Sequence, residues 1–540
     1  MKTGEKRDVL IIGGGHNGLV CGAYLAKAGL KVTVLEQAKI VGGAAVTQEF
    51  YPGFRASTYS YLMSLLHPRV INDLQLREHG LEVLPCADMF SPLDGDDYIV
   101  FSENIARTQT SFARFNKHDA EIYPEFDKYI NEAAAVVRAL LFDTPPDPTK
   151  RDWKTFKEMG KLLWKYRKIG NKLFQVYDIL TMSADEYLKC WFEDPRIRAV
   201  LAYYASIGTF AGPKTPGSAY VILHHIMGEH EGAGGWGFIR GGMGAISDAI
   251  ASSGRKMGME ILTDTAVQEI PVINDRVTGV VTTDGREFMA DKVISNANAK
   301  VLYLKLIEER HLPDTLLREI RNYRTFSTAF KLNIACEQPP QYQGMKKALN
   351  DNALGDFTYP SYVHCAPDID YLEKAYDDAK HGWYSSDPFL TPVVPTIVDD
   401  TLAPEGKHIV NVFGGHAPYE LKDAKWENEK DGFTANVLKT LDRFAPGFSD
   451  GIIDAEVIIA PDIESRLQLP QGHIFHGELA LDQLFFKRPA AHYADYRGPL
   501  KGLYMCGSSC HPGGGVSGIA GHNAAREVLG DMGRKMPVRN

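Results

Sequence analysis

Residues 8–37 constrain the fold of this chain more than any other segment. Their sequence is DVLIIGGGHNGLVCGAYLAKAGLKVTVLEQ. The apolar run 9–12 is typical of a parallel strand that is buried on both faces. A glycine-rich turn over 13–18 fits the pattern G-x-G-x-x-G, and the small residues over 19–28 predict a helix. A second predicted strand over 31–35 completes a βαβ unit, so we expect an α/β fold with a dinucleotide site.

The spacing of the glycines gives each one a role in this unit. Gly13 permits the tight turn, and Gly15 lets a pyrophosphate approach the N-terminus of the helix, where free N–H groups and the positive end of the dipole lie. Gly18 lets helix and strand pack closely. Glu36 follows Gly15 by 21 residues, where a carboxylate can accept hydrogen bonds from ribose hydroxyls. We predict the following cofactor contacts in this unit: Gly13, Gly15, His16, Asn17, Gly18, Glu36 and Gln37.

Further strands and helices are predicted in the middle and at the end of the chain. GGMGAI opens a predicted helix at 241–246, and the segments 259–263 and 276–298 are typical of strands. A last strand is predicted over 503–506, before a helix that begins near Val516. Stretches rich in proline and glycine, at 339–360 and 385–406, predict loops.

Several long segments resemble one known family. They are IVGGAAVTQEFYPGF (40–54), SADEYLKCWFEDPRIRA (183–199), RGGMG (240–244), AVQEI (266–270), TDGREFMADKVISNAN (283–298), GHIFHGELALDQLFF (472–486) and GLYMCGSSCHPGGGVSGIAGHNAA (502–525). The chain resembles FAD-dependent oxidoreductases of the phytoene desaturase and carotenoid isomerase superfamily, and within it the pyridine nucleotide-disulfide oxidoreductase domain-containing protein 2 group. The resemblance covers most of the chain and implies FAD as the cofactor.

The resemblance also implies the rest of the FAD site. The glycine pair Gly42 and Gly43, with Ala44, would continue the site after the ribose acid. Many members carry arginine after the pair, whereas alanines stand there in this chain, so an arginine contact to the phosphates at this point is not expected. The backbone near Val267 would contact the adenine–ribose end. In the closing segment the implied contacts are Gly507, Ser508, Gly515 and Val516.

The same resemblance implies a discontinuous FAD-binding domain. We expect a Rossmann-like FAD-binding domain, with an inserted α+β substrate domain of the amine oxidase/phytoene desaturase type. The FAD-binding segments would be 1–75, 232–300 and 455–540. The inserted segments would be a substrate or helical region over 76–231 and a substrate domain over 301–454. Aromatic residues within 54–68 could line a substrate pocket, or be buried core.

The closing segment raises the alternative of a redox-active thiol pair. Cys506 and Cys510 lie four positions apart. Flavin-dependent disulfide reductases place their redox pair shortly after the ribose acid, but residues 37–65 contain no cysteine. A reductase of that type also needs a second nucleotide-binding fold, which the sequence does not indicate. We therefore interpret the glycines at 513–515 as a loop that lies against the flavin, and the two cysteines as small packing residues.

Two residues are candidates for catalysis. Arg240 precedes GGMG and could face the cofactor phosphates or a substrate carboxylate. His511 belongs to the flavin loop and could donate a proton. Each could equally be structural, because a flavin often performs the chemistry while the protein positions the substrate.

Composition narrows the function classes. The net charge of −9 argues against general nucleic-acid binding. Seven cysteines in 540 residues do not make a disulfide framework, and the histidines show no metal-ligand spacing, so we expect no metal. No signal peptide or spanning segment is evident. We expect a cytoplasmic protein, or a mitochondrial one if the source is eukaryotic.

Residues 150–172 form a basic amphipathic stretch. Nine Lys or Arg and two acids give this stretch a net charge of +7, which leaves −9 − 7 = −16 for the rest of the chain. Trp153, Phe156, Leu163, Tyr166 and Ile169 recur at near-helical spacing. The stretch could dock on a membrane surface as a peripheral contact, or pack on its own domain with a solvated basic face.

The sequence therefore predicts an FAD-dependent oxidoreductase of the dehydrogenase or desaturase type. It would take hydride from an apolar or amphipathic small molecule to flavin N5 and pass electrons to an acceptor that the sequence does not identify. Three alternatives stay open: a redox-neutral isomerase, an amine oxidase, and a flavin-bearing regulatory protein without turnover. The oligomeric state is also open.

Overall fold

The computed structural model describes residues 6–228 and 236–537 of the chain. Within these ranges the strands are β1 (Arg7–Ile12), β2 (Val32–Leu35), β3 (Thr47–Tyr51), β4 (Phe54–Ser57), β5 (Val83–Pro85), β6 (Met89–Pro92), β7 (Tyr98–Phe101), β8 (Gly237–Ile239), β9 (Glu260–Leu262), β10 (Val267–Glu269), β11 (Val272–Ile273), β12 (Arg276–Val277), β13 (Gly279–Thr282), β14 (Glu287–Ser295), β15 (Phe330–Cys336), β16 (Tyr362–Val363), β17 (Phe389–Val393), β18 (His408–Gly415), β19 (Ile452–Ile458) and β20 (Leu503–Met505).

The α-helices of the same ranges are α1 (His16–Lys27), α2 (Pro68–Asp73), α3 (Ile105–Ala113), α4 (Lys117–Arg138), α5 (Trp153–Tyr166), α6 (Lys172–Thr181), α7 (Ala184–Lys189), α8 (Pro195–Ala202), α9 (Ala219–Ile226), α10 (Gly244–Lys256), α11 (Ala299–Val301), α12 (Asp314–Asn322), α13 (Met345–Leu349), α14 (Ile369–Lys380), α15 (Trp426–Phe444), α16 (Ala460–Leu467) and α17 (Ile519–Asp531). Among them, none combines the length and the apolar character that crossing a membrane requires.

The first sheet contains the predicted βαβ unit. Its strand order is β10-β13-β14-β1-β2-β9, and β20 also pairs with β14. The pairs β14–β1, β1–β2, β2–β9 and β14–β20 are parallel. The four apolar residues Val9–Ile12 are all buried, as expected for a strand covered on both faces. Helix α1 packs between α10 and α17, so the two ends of the chain meet at one helix.

The second sheet is built from the two inserted segments. Its strand order is β19-β15-β18-β17-β16-β6-β7. Strands β6 and β7 come from the segment 76–231, and β15 to β18 come from 301–454. Strand β19 runs across the limit predicted at residue 454. Helices of the first insertion, including α4 and α9, pack in a core with residues from this sheet.

Three local predictions differ from the structure. The stretch 339–360, predicted as a loop, contains the short helix α13 (Met345–Leu349). The stretch 385–406, predicted as a loop, contains β17, in which Pro392 pairs with Val412 of β18. The final helix begins at Ile519 rather than near Val516. Gly515 (φ +107°) and Gly518 (φ +74°) adopt positive φ values, so the backbone cannot continue as a right-handed helix before Ile519.

Candidate active site

One cavity is lined by residues of both sheets. Its volume is about 1110 Å³. From the first sheet and its loops, thirteen of the residues that we predicted as cofactor contacts line the cavity: Gly13, Gly15, His16, Asn17, Glu36, Gln37, Gly42, Gly43, Ala44, Val267, Ser508, Gly515 and Val516. We call this part of the cavity the cofactor cradle. The structure therefore brings together segments that are almost 500 residues apart in the sequence.

Two of the predicted contacts, Gly18 and Gly507, lie behind the cradle and do not line it. A Cβ atom on Gly18 would lie 2.3 Å from the carbonyl oxygen of Gly13. A Cβ atom on Gly507 would lie 2.5 Å from the carbonyl oxygen of Asn296. Both distances are too short for any side chain, so these glycines allow backbone segments to pack closely. Their role is to shape the cradle rather than to contact a ligand.

Glu36 lies at the end of β2, buried beside the glycine turn. Its carboxylate accepts hydrogen bonds from the backbone N–H of Gly14 (2.6 Å) and of Ala38 (2.8 Å). Burial raises the pKa of Glu36, and N–H donors including those of Ala38 and Gly14 partly oppose this shift. A carboxylate has about four acceptor positions, so capacity remains for ribose hydroxyls.

The two ends of the chain are joined directly in the cradle. The side-chain amide of Asn17 donates to the hydroxyl of Ser508 (3.2 Å), and the N–H of Gly521 donates to the Asn17 side chain (3.4 Å). The N–H of Cys506 bonds to the carbonyl of Ser295, the last residue of β14. These bonds fix the closing loop against the N-terminus of α1.

A buried guanidinium fastens the closing loop from behind. Arg488 is completely buried, and its side chain donates to the backbone carbonyls of Phe475 (2.7 Å), Gly477 (3.3 Å) and Ser508 (2.9 Å). It also donates to the carbonyls of Glu478 and Gln483. Arg488 therefore acts as a clamp between the loop that starts at Phe475 and the loop at Ser508. No spacing pattern in the sequence indicates this role.

Two imidazoles of the cradle have buried nitrogens without partners. His16 Nε2 and His476 Nδ1 make no hydrogen bond with any part of the chain that the structure describes. Burial lowers the pKa of His16 to about 4 and that of His476 to about 3. Both rings are therefore neutral at pH 7 and are available as hydrogen-bond partners for a polar ligand. His476 was not predicted from the sequence; only its place in a family-like segment could have indicated it.

The cradle fits FAD. It offers a glycine turn at a helix N-terminus, a buried carboxylate for a ribose, and two imidazoles with ring nitrogens that have no partner among the described residues. Gln37 of the cradle is exposed, whereas Ser508 of the cradle is buried. The cradle therefore runs from the surface into the interior.

Beyond the cradle, the cavity continues into a chamber with aromatic walls. We call this part the aromatic chamber; its aromatic lining consists of Tyr61, Tyr204, His225, Trp236, Tyr362, Phe413 and Phe475. Tyr204 stacks with Trp236 (centroids 6.1 Å apart), and Trp236 stacks with Tyr362 (5.8 Å). The hydroxyls of Tyr204 and Tyr362 are hydrogen-bonded (3.1 Å). Burial lowers the pKa of His225 to about 4, so this wall is uncharged at neutral pH.

Lys331 lies on β15 inside the same chamber. Its side chain is only 3% exposed, and Nζ has no hydrogen-bond partner among the described residues. Nζ lies 4.4 Å from the centroid of the Tyr61 ring, which in turn stacks on Phe413. Burial lowers the pKa of Lys331 well below the ordinary value. Lys331 was not predicted from the sequence, because one lysine in an apolar strand does not reveal which face it occupies.

Apart from the buried Glu36 and Lys331, the charged lining residues include four that are exposed or half-buried. Glu49 and Arg466 are exposed, and Asp454 and Glu456 are half-buried. Arg466 pairs with Glu456 at 2.9 Å. The cavity thus combines a polar opening with an apolar interior.

Neither catalytic candidate lines the cavity. The guanidinium of Arg240 pairs with Asp400 at 2.6 Å and is 38% exposed. His511 Nε2 is 3.0 Å from the carbonyl oxygen of Leu140, and its ring packs on Phe485. Both side chains therefore interact with residues outside the cavity, and we do not retain either residue as a catalytic candidate.

The two cysteines of the closing segment are buried in the core of the first sheet. Burial raises the pKa of Cys506 well above its usual range, with a further contribution from the adjacent Cys21. Burial also raises the pKa of Cys510 to about 12. Both thiols are protonated at neutral pH, and neither lines the cavity.

The cradle and the chamber together define an FAD-dependent oxidoreductase. A search against protein-family models matches residues 18–529 to the family described as flavin containing amine oxidoreductase. The chain belongs to this family, which confirms the predicted fold class and cofactor.

Individual relatives support the same assignment. The chain is 37% identical to pyridine nucleotide-disulfide oxidoreductase domain-containing protein 2 of Mus musculus, over 97% of this chain and 94% of that protein. It is 23% identical to phytoene desaturase (lycopene-forming) of Pantoea ananas, over 97% and 99%. These similarities confirm the predicted resemblance to the phytoene desaturase superfamily and, within it, to the pyridine nucleotide-disulfide oxidoreductase domain-containing protein 2 group. A crystal structure of an oxidoreductase from Methanosarcina mazei shares the fold, with a TM-score of 0.60, 16% identity and coverage of 98% and 100%.

Proposed function

We propose that the chain takes hydride from an apolar or amphipathic small molecule and passes it to FAD. When bound, FAD supplies N5 of its isoalloxazine ring as the hydride acceptor. The observation that carries the proposal is the continuity of one cavity, which is lined by Gly15 and Val516 of the cradle and by Lys331 and Phe413 of the chamber. A molecule in the chamber can therefore reach the inner end of the cradle without crossing solvent.

The walls of the chamber favour an apolar substrate body. Tyr204, Tyr362 and Phe413 are each at most 6% exposed, and aromatic faces bind apolar groups by excluding water. The polar opening with Glu49 and Arg466 would hold a polar end of the same molecule. The name of the phytoene desaturase relative, whose substrate phytoene is a hydrocarbon, agrees with an apolar substrate.

Lys331 is the residue best placed to assist the reaction. Because burial lowers its pKa, Nζ can accept a proton at a pH where an exposed lysine stays charged. We therefore assign Lys331 to hold or accept a proton of the substrate as hydride leaves. The aromatic side chains around it exclude water and orient the substrate.

An amine oxidase is the second candidate. The family description refers to amines, and the lining includes three carboxylates that would attract a cation: Glu49, Asp454 and Glu456. A neutral Lys331 would not repel an amine in the chamber. The two candidates differ in whether an amino group is needed for reduction of the flavin.

The experiment is an anaerobic reduction screen. The protein, reconstituted with FAD, is mixed with matched pairs of molecules that share an apolar chain and carry either an amino group or a hydroxyl group, and with hydrocarbons of similar size. Bleaching of the flavin absorbance by hydroxyl compounds or hydrocarbons supports the proposal. Bleaching by amines alone would support the amine oxidase instead.

Two further outcomes identify the remaining alternatives. Interconversion of substrate isomers with reduced FAD, and without net bleaching, would indicate an isomerase. A flavin that no compound reduces, although it is bound at one per chain, would indicate a regulatory protein.

A further inference from the structure

Two helices of the first insertion expose large apolar side chains to solvent. Their exposed fractions range from 56% for Leu173 to 78% for Trp153. We call this set the aromatic stripe; it consists of Trp153, Phe156, Leu163 and Trp164 on α5, and Leu173, Phe174 and Tyr177 on α6. Isolated exposed apolar residues are ordinary on protein surfaces, whereas a concentration of this kind marks an interaction site.

The opposite side of α5 attaches it to the domain. The hydroxyl of Tyr166 donates to the carbonyl of Val136 (3.2 Å), and Thr155 is buried. At 100° per residue, the four α5 members of the aromatic stripe fall within an arc of roughly 100°, on the other side from Thr155 and Tyr166. The stripe is thus not an extension of the core. The alternative given above, in which the stretch 150–172 packs on its own domain, would cover Trp153 and Phe156, whereas both are exposed.

Basic residues flank the aromatic stripe. Lys157 and Lys161 are exposed and fall beside it on the helical projection, and the exposed Lys168 follows the end of α5 by two residues. The guanidinium of Arg167 lies 3.9 Å from the centroid of the Trp164 ring. Helices that lie in a membrane interface typically carry tryptophan, phenylalanine and leucine on one face and lysines beside them.

We propose that the aromatic stripe docks the protein on an anionic lipid membrane. The charge distribution selects this occupant: the stretch 150–172 carries +7, whereas the rest of the chain carries −16. An anionic surface attracts the first and repels the second, so it would orient the protein with α5 and α6 toward the lipid. The helices would lie in the interface without spanning it. This proposal does not depend on the substrate or on the reaction.

The experiment is co-sedimentation of the FAD-loaded protein with vesicles. Vesicles of phosphatidylcholine alone are compared with vesicles that contain one third phosphatidylglycerol, at low and at high salt. The aromatic variant is W153A/F156A/W164A, and the charge variant is K157E/K161E/K168E. The matched controls change exposed residues elsewhere: I273A for the aromatic variant, and K256E/K439E/K501E for the charge variant.

We expect the wild-type protein and both controls to bind the anionic vesicles, with weaker binding at high salt. The aromatic and charge variants should each bind at least tenfold more weakly and keep the circular dichroism spectrum and FAD content of wild type. In addition, brominated lipid should quench tryptophan fluorescence of wild type more than that of W153F/W164F, which should retain binding.

Two results would overturn the proposal. One is wild-type protein that stays in the supernatant with anionic vesicles at low salt. The other is a concentration-dependent dimer that the aromatic variant abolishes while vesicle binding is equal in all variants. That second result would assign the aromatic stripe to another copy of the chain.

Discussion

The cofactor cradle and the aromatic chamber share one cavity but are built in opposite ways. The cradle depends on backbone groups and on the absence of side chains, as at Gly13 and Gly18. The chamber depends on large side chains from separate elements, such as Tyr204, Tyr362 and Phe413. Added atoms should therefore damage the cradle, whereas removed atoms should change what the chamber binds.

The largest expected effect concerns the chamber. Lys331→Met should lower the rate constant of flavin reduction by about 10²–10⁴-fold, the usual contribution of a general base. The same change should raise the free energy of unfolding of the apo-protein by about 1–3 kcal/mol, because it removes a buried polar group without a partner. Anaerobic stopped-flow absorbance measures the first effect, and chemical denaturation the second.

Lys305→Met is the matched control for that prediction. Lys305 also lines the cavity but is exposed. It should keep the fold, as is usual for surface substitutions, and a flavin reduction rate close to that of wild type, because Lys305 has no role in the proposed proton transfer. A Lys331→Met protein that reduces its flavin as fast as wild type would remove Lys331 from the proposed mechanism.

The next effect concerns the cradle. Gly18→Ala places a Cβ 2.3 Å from the Gly13 carbonyl oxygen, and overpacking of this kind costs about 1–3 kcal/mol. FAD should therefore bind roughly 5–150-fold more weakly. Gly530→Ala is the control, because Gly530 of α17 has open space around it and alanine favours helix. Equilibrium dialysis with FAD measures both; equal affinities would contradict our view of the cradle.

Acid should destabilise the fold by protonating a buried histidine, His224, which lines neither the cradle nor the chamber. Burial is the main cause that lowers the pKa of His224 to about 3, and neither ring nitrogen has a partner among the described residues. The unfolded chain binds the proton below about pH 6.5 while the folded chain does not. Stability due to this group is therefore full above pH 6.5 and is lost at about 1.4 kcal/mol per pH unit as pH falls toward 3.

His224→Leu removes this titration. Denaturant unfolding of the apo-protein at pH 7, 6 and 5 should show a smaller loss of stability in the variant than in wild type. Parallel losses in the two proteins would show that His224 is protonated without cost in the folded state.

The smallest effect is a change of specificity. Phe413→Leu removes part of one wall of the chamber, worth about 1 kcal/mol of apolar contact. For a substrate that fills the chamber, KM should rise about fivefold with kcat nearly unchanged, because the lost contact is equal in ground state and transition state. A kcat that falls with KM constant would instead place Phe413 among the groups that position the reacting atoms.

The cradle could be predicted from the sequence to a much greater extent than the chamber. The βαβ unit, the strand β20 and most of the cradle were predicted, because glycine spacing is itself the physical requirement for a close approach of backbone and phosphate. The chamber was not predicted, because aromatic residues that line a cavity cannot be distinguished in the sequence from those of an ordinary core. The place of Lys331 in the chamber follows from the pairing of β15 with β18, which sets Lys331 opposite Phe413. Strand β17 was missed because Pro392 favours a loop, and pairing with β18 overrides that preference.

The bond between Asn17 and Ser508 has a consequence for how the protein is made. The ribosome synthesises the chain from the N-terminus, and early segments begin to fold as they emerge. Asn17, beside the glycine turn, is thus synthesised long before its partner Ser508 in the closing loop, which is 491 positions further on. Until that loop arrives, β14 lacks its neighbour β20 and α1 lacks α17. The complete site for FAD therefore forms only after the segment around Ser508 has been synthesised.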